Sequence, residues 1–532
     1  MIRLLFLLAA ASLLPAQRFS AWERKHNTYT FEFGGPNNFE LEWVSASTFR
    51  VRRGPKGPPR RAIADTAVEV DATGSDTNVV LRTSELTVEV ARDRGLLTVQ
   101  LPAGMRLFAE RAARIADGKS TLDLEVPARE AFYGLGPRAQ PSLDARSLIL
   151  QPKFPFLVTG NGYALWMDTP APFTFDLGKS VPDRLTIHGD GLARLEYYFA
   201  FGPSMKEIWD QRQKVTGSIQ TPPASMLELI RGPQLPAGAA KVTTGDLCAD
   251  AAALMHATMS AVLLPAFDLA DYRKASPETL RRAARLGVFS PILQDSGREF
   301  TDAATFTLRK RLNLYLLTYA DEARYRGYPV IHSLRHQFPR DAEAGGRIDQ
   351  YMLGDEFLLA PVCSGTARKS LYLPMGTWTD WNTGIAHAGR RQTEIDVPSD
   401  GLIILVKSGS IVPLSGVETA HPTELHYFPK NGGEFFIYEP EAADYTQAHA
   451  GPAVDTYRVQ IESKADRDYE WVLHHMDRPT RVHQVDGPDY KPATGPGPVP
   501  PHHWRYDAQR RTVHIGVAAK AGSDIVVNLR FD

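Results

Sequence analysis

Residues 231–246 (RGPQLPAGAAKVTTGD), 263–272 (LLPAFDLADY) and 289–297 (FSPILQDSG) decide how the rest of the chain is read. Each carries an apolar or β-prone run into polar residues just ahead of a helical pattern. A (β/α) barrel holds its catalytic groups at such strand ends. Leu247, Ala251, Leu254 and Met255 fall at i, i+4, i+7 and i+8, on one helical face. Ser276 can cap a helix with Pro277 in its first turn, and Gly287 can end it. Residues 305–326 read as one long helix, stopped by Gly327 with Pro329 beyond. Residues 226–338 thus hold three βα units, well short of the about 250 residues of a full barrel.

Outward from this segment the period changes to two. Tyr29-Thr30-Phe31-Glu32-Phe33, Phe39-Glu40-Leu41-Glu42-Trp43 and Leu86-Thr87-Val88-Glu89-Val90 alternate apolar with polar, and Gly34-Gly35-Pro36 and Gly54-Pro55 punctuate them. Many short strands with Gly/Pro turns predict a large antiparallel sandwich ahead of Pro222-Pro223. A helix is expected over 206–216, with Ser204 as its cap and Gly217 as its stop. Residues 486–502 form a Pro/Gly-rich surface loop.

At 532 residues a single core is too small an account, and several domains are expected. The formal charge of −1 and a pI near 7 exclude a basic field for nucleic acid or acidic membranes. Residues 1–16 (MIRLLFLLAAASLLPA) have one positive charge and then an apolar stretch too short to span a bilayer, the pattern of a secretory signal peptide. The mature chain is expected to be secreted or periplasmic, with no membrane attachment after signal removal. Its two cysteines, Cys248 and Cys363, lie far apart in sequence, so the expectation is two buried small side chains and no disulfide. No Cys/His cluster has metal-ligand spacing, and the adjacent His502 and His503 make poor geometry for one ion.

FYGLG at 132–136, the PFLV…GYALWMD…FDLG run over 155–178 and YYFAFGPSMKEI…TG…PP over 197–223 together resemble the N-terminal domain of glycoside hydrolase family 31. That family contains α-glucosidases and α-xylosidases. Thr244-Gly245-Asp246 resembles the family's Trp-Ser/Thr-Gly-Asp motif, and Phe267-Asp268-Leu269-Ala270-Asp271-Tyr272 its Asp-Ile-Gly-Gly-Phe motif. Residues 350–362, 371–381 and 407–414 resemble the barrel exit and proximal β domain, and residues 435–445 the distal β domain. The resemblance implies a multidomain β plus α/β fold. Its parts are a signal peptide (1–16), an N-terminal galactose-mutarotase-like β-sandwich (17–223), a truncated (β/α) TIM-type barrel remnant (224–340) and two C-terminal β domains (341–420 and 421–532).

The resemblance makes Asp246 the acid/base candidate and Asp268 a sugar ligand, with Arg231 and Ser296 as further substrate-binding candidates. It implies no cofactor, and an oligosaccharide or glycoside as partner. Retention needs a carboxylate nucleophile about 5–5.5 Å from the acid/base. The family nucleophile lies on a mid-barrel strand ahead of the Thr-Gly-Asp match. Here only residues 224–230 lie between Pro222-Pro223 and Arg231, and no Gly-x-Trp-x-Asp-like motif occurs. The pocket pattern is altered as well. The family's Trp reads Thr243, its Gly-Gly reads Ala270-Asp271, its His reads Ser296, and its Arg is at best Lys241.

Each candidate has a plainer reading. Asp246 serves equally as a helix N-cap, Asp268 as a turn carboxylate and Arg231 as an ion-pair partner. His332 fits a core or edge histidine, and Asp295 and Glu299 fit the surface. Two functions follow. One is hydrolysis of terminal α-glucosidic or α-xylosidic bonds with retention, impaired by the missing nucleophile. The other is a non-catalytic carbohydrate-binding or scaffold protein, or the product of an internal gene deletion.

Overall fold

Alternation along the chain becomes alternation of burial. In Thr28–Glu32 the two aromatic side chains Tyr29 and Phe31 are buried while the flanking polar residues reach solvent. A computed structural model describes residues 19–33, 38–55, 66–138, 142–168, 171–298, 300–363, 365–416 and 421–531. The expected signal peptide and Glu299 lie outside these residues. The chain is mostly β-sheet and divides into two compact units. Among the described residues no helix is long and apolar enough to cross a membrane.

The first unit comprises the described residues of Met1–Ala131, Arg146–Pro155 and Thr159–Phe201. A nine-stranded antiparallel sheet includes Arg106–Ala116 paired with Lys119–Glu125. A second sheet runs through Ala21–Lys25, Thr28–Glu32, Phe39–Ser45, Thr48–Arg53, Leu195–Phe201 and Tyr163–Met167. Phe108 of the first sheet meets the rings of Tyr163 and Phe199 of the second at 5.8 and 5.7 Å. The Glu110 carboxylate between them is buried and accepts from Arg53, Tyr197 and the Leu97 amide at 2.5, 2.8 and 2.8 Å. A buried carboxylate with that many donors meets the condition for keeping a charge inside a core.

The second unit holds Phe132–Ala145, Phe156–Val158 and everything from Gly202 onward. Its α/β part is a four-stranded parallel sheet. The strands are β1 (Ile230–Arg231), β2 (Ala239–Lys241), β3 (Leu264–Asp268) and β4 (Ile292–Asp295), and the order across the sheet is β1-β4-β3-β2. The sequence reading expected three βα units. Strand β1, two residues long, is too short to leave a period in the sequence. Helices α1 (Leu247–Met259) and α2 (Pro277–Val288) connect β2 to β3 and β3 to β4. Only residues 232–238 connect β1 to β2, seven residues where a parallel crossover takes a dozen or more.

The expected N-caps are present, whereas Gly287, expected to end α2, lies within it and Phe289 is the C-cap. Ser204 closes a capping box on Met205–Thr216, and Ser276 accepts from the Thr279 amide with Pro277 at the start of α2. The single helix expected over 305–326 is two, α3 (Ala303–Arg311) and α4 (Asn313–Arg326). Leu312 breaks them at φ −76° and ψ −7°. Arg309 explains why α3 sits where it does. Its buried guanidinium donates to the carbonyls of Leu227, Glu228, Val288, Ser290 and Pro291, binding the chain ahead of β1 to the chain ahead of β4.

The FYGLG run belongs to this unit. Gly134 sits at φ +90°, and a Cβ there would stand 2.5 Å from the Phe156 carbonyl and 2.8 Å from that of Met259, so only glycine fits. Beyond α4, Ile331–His332 starts a six-stranded sheet with Tyr351–Leu353, Phe357–Pro361, Leu402–Lys407, Thr377–Asp380 and Ala386–Ala388. Trp378, Leu358, Ile403 and Leu334 are among its core residues. A two-stranded sheet of Arg368–Leu373 with Arg391–Asp396, and six- and five-stranded sheets built from residues 411–530, follow in the same unit.

Candidate functional site

The C-terminal ends of β2, β3 and β4 bring together five polar side chains. Asp268 ends β3, is 1% exposed and caps a short 3-10 turn. Its Oδ1 accepts from the amides of Ala270 and Ser296, both at 3.0 Å. Its Oδ2 accepts from Ser296 Oγ at 2.6 Å and Lys241 Nζ at 3.1 Å. Burial alone raises this carboxyl's pKa. The Ser296, Ala270 and Lys241 hydrogen bonds outweigh burial and hold it below the usual value. Lys241 also donates to Asp271 at 2.8 Å, and these two carboxylates raise the ammonium above its ordinary value against the opposing effect of burial. Asp271 accepts from Thr243 Oγ1 at 2.6 Å, and Thr243 Oγ1 accepts from the Asp268 amide at 3.3 Å.

Lys241, Thr243, Asp271 and Ser296 are four of the positions where the sequence departs from the family's pocket pattern. They form one hydrogen-bonded network around Asp268.

Asp246 stands apart from this network. It is exposed, caps α1, and its Oδ1 accepts from the amides of Cys248 and Ala249 at 3.0 and 3.1 Å. Gly245 before it sits at φ +93°, where a Cβ would lie 2.7 Å from the Asp271 carbonyl. Arg231, at the end of β1, reaches Asp295 Oδ2 at 3.4 Å and lies 5.3 Å from the Phe306 ring. Asp295 was expected at the surface. It is 1% exposed, because β1 covers it from one side and the Phe300 amide donates to it at 3.0 Å. His332 is buried in its strand with its ring 4.3 Å from that of His336, and burial pushes its pKa down to about 4.

The residue that sequence reading missed is Asp250. It is fully buried one turn into α1 and gathers the loop that presents Asp246. The Thr244 amide and hydroxyl donate to it, both at 2.8 Å, as do the Gly245 amide at 3.1 Å and Tyr272 Oη at 2.5 Å. Its signal in the sequence was an aspartate placed within an otherwise apolar helical run. The cysteines also depart from expectation. Cys248 is exposed and Cys363 is half-buried.

A separate cavity of about 1010 Å³ opens in the C-terminal β region. Trp381, His426, His474, Glu470, Arg505 and His514 contribute to its lining. Glu424 accepts from Arg311 and from His426 Nε2, both at 2.7 Å, and His426 Nδ1 lies 3.0 Å from His474 Nε2. Among the described residues no group of three or more His, Cys, Asp or Glu could hold a metal ion.

Residues 327–412 match the family model described as the glycosyl hydrolase family 31 C-terminal domain. Over 190 residues the chain is 30% identical to an isomaltosyltransferase of Sporosarcina globispora, covering 30% of this chain and 17% of that protein. Over 194 residues it is 28% identical to alpha-glucosidase 2 of Bacillus thermoamyloliquefaciens, covering 32% of this chain and 24% of that protein. The matched stretches thus span a quarter or less of these relatives' length. Among solved structures, the chain is similar to a family 31 dextranase of Flavobacterium johnsoniae complexed with isomaltotriose. The TM-score is 0.79 at 16% identity, over 97% of this chain and 100% of that one. It is also similar to a cycloalternan-forming enzyme of Listeria monocytogenes in complex with a pentasaccharide substrate, with a TM-score of 0.79 at 15% identity, over 97% and 77% of the two chains. At these identities the likeness is one of fold.

Proposed function

We propose that this chain, which belongs to glycoside hydrolase family 31, is an exported protein that binds α-linked glucosides or xylosides without hydrolysing them. The observation that carries this reading is the closed network around Asp268. All four of the hydrogen bonds that Asp268 accepts come from Lys241, Ser296 and Ala270, so no arm of the carboxylate is left for a sugar hydroxyl. Asp246 holds an acid/base position by resemblance, but the sequence carries no Gly-x-Trp-x-Asp-like motif to supply the nucleophile that retention needs.

The sheet order supports a shortened barrel. In a closed eight-stranded (β/α) barrel the first strand pairs with the last. Removal of the second to fifth strands would leave the order first, eighth, seventh, sixth, and β1-β4-β3-β2 has that order. On this reading the cut falls in residues 232–238, and the strand that carries the family nucleophile is among those removed. The first unit is then the N-terminal β-sandwich of the family, and the sheets after α4 its two C-terminal β domains.

Binding on this reading falls to the β domains, at the cavity beside Trp381. A half-buried indole offers an apolar face to a pyranose ring, and the surrounding imidazole, guanidinium and carboxylate groups supply donors and acceptors for hydroxyls. Two measurements test the reading. The wild-type protein and Asp246→Asn are both expected to release no 4-nitrophenol from aryl α-glucosides or α-xylosides above background. Wild type is expected to be retarded in affinity gels containing dextran or starch, and Trp381→Ala to be retarded about fivefold less, the loss of one aromatic contact. Release that disappears in Asp246→Asn would restore the hydrolytic reading, and neither release nor retardation would remove carbohydrate from the account.

A further inference from the structure

The strand Gly433–Glu439 stands at the edge of its five-stranded sheet and lies against α4. Its Tyr438 amide points out of the sheet and donates to Thr318 Oγ1 of α4 at 3.1 Å. Backbone groups alternate sides along a strand, so the amides and carbonyls of Glu434 and Phe436 point out the same way, with no strand beside them. A cleft of about 520 Å³ opens there. Thr318, Glu322 and Tyr325 fall at i, i+4 and i+7 on α4 and form one wall, while Glu434 and Phe436 belong to the other. Tyr325 is 69% exposed and Phe436 43% exposed. Apolar side chains scattered singly are ordinary on a surface, but two exposed rings lining one cleft mark a binding site.

The polar groups between the rings suit hydroxyls. Four carboxyls, Glu322, Asp355, Glu356 and Glu434, line the cleft with the Arg326 guanidinium. Burial pushes Glu322 up to about 7 and Glu356 up to about 8, so near neutral pH these two can donate as well as accept. Glu356 meets Tyr315 and Tyr319 through Oε2 alone. A pyranose is the complement of such a lining, with C–H faces for the rings and hydroxyls that both donate and accept. An extended peptide could also seek an open strand edge. Thr318 already occupies this edge at Tyr438, and the two outward-facing residues left are too few for strand addition. We propose that the cleft between α4 and Gly433–Glu439 is a second carbohydrate site, which holds a neutral pyranose of an α-glucan chain between Tyr325 and Phe436. The inference rests on the reading that this chain binds α-linked glucosides, and it adds a place distinct from the cavity beside Trp381. Two such sites on one unit hold a polymer more tightly than either does alone.

Affinity gels containing dextran or starch test the site, with Tyr325→Ala, Phe436→Ala and Trp381→Ala made singly and in pairs. Tyr325 and Phe436 are exposed, so their variants should keep the wild-type urea midpoint. Each should be retarded about fivefold less than wild type, the loss of one aromatic contact. Tyr325→Trp keeps a ring face and should be retarded like wild type, and Phe436→Ala with Trp381→Ala should lose more than either alone. Full retardation of Tyr325→Ala and Phe436→Ala, with Trp381→Ala weakened, would overturn the second site and leave the cavity beside Trp381 standing. Weakening in Tyr325→Ala and Phe436→Ala alone would keep this site and remove the other. A wild-type protein that neither gel retards would remove both.

Discussion

Asp250→Ala is expected to destabilise the second unit by about 3–5 kcal/mol, seen as an earlier urea transition for that unit. The magnitude follows from what the carboxylate leaves behind. Its four donors are two amides, the Thr244 hydroxyl and the Tyr272 hydroxyl, gathered at a side chain with no solvent exposure. Alanine supplies none of the acceptors, and an unpaired buried donor costs about 1–3 kcal/mol. Asn in place of Asp250 keeps the volume but points an amide donor at other donors, so about 2–3 kcal/mol is expected. Tyr272→Phe removes one donor and leaves the other three bonds, and should cost only about 1 kcal/mol. An Asp250→Ala protein within about 1 kcal/mol of wild type would show that water replaces the carboxylate and that the loop does not depend on it. Since this loop presents Asp246, the series also separates damage to the scaffold from damage to chemistry.

A second large effect should appear with pH. Glu356 is buried, and its Oε2 accepts from Tyr315 at 2.8 Å and Tyr319 at 2.6 Å. Burial pushes its carboxyl up to about 8, with the Asp355 charge adding to the rise and the tyrosine hydroxyls opposing it. The folded chain therefore holds a proton that the unfolded chain releases near 4.5. Below that value the two states carry the same proton and nothing is lost. Between there and about 8 the unfolded state is favoured progressively, and the full cost is reached once the folded carboxyl ionises. Glu356→Gln keeps a carbonyl acceptor for both tyrosines and never ionises. From pH 5 to pH 9, wild type should lose about 3–5 kcal/mol more than the variant. Glu322, whose carboxyl is pushed up to about 7 by burial, is present in both proteins and largely cancels. Stability curves for the two proteins that run parallel across this range would show that Glu356 does not hold the proton.

What was legible in the sequence was what local chemistry dictates. Ser204 and Ser276 cap their helices because a hydroxyl ahead of an apolar period has few other uses. Asp268 and Asp246 end up at strand-to-helix turns for the same reason. What was not legible depends on neighbours far away in the chain. Asp295 looked like a surface carboxylate because nothing in residues 289–297 reveals that β1 will lie beside it. Asp250 fell within an apolar helical run, and its partner Tyr272 lies 22 residues on. Leu312 breaks a helix without glycine or proline, so the pattern across it is continuous. The altered pocket positions were visible one at a time. Their bonding to one another was not, because it needs β2, β3 and β4 side by side.

The position of β1 also sets a timetable for synthesis. Strands β2, β3 and β4 are neighbours both in the chain and in the sheet, so each can pair soon after it is made. Strand β1 is made first, yet the strand it pairs with, β4, begins 61 residues after Arg231. At about 5–20 residues per second, the ribosome leaves that strand unpaired for roughly 3–12 s. A longer strand with open hydrogen-bonding groups would be a hazard over such a wait. Two residues offer too little edge for another nascent chain to take hold, so the brevity of β1 protects the chain until β4 arrives.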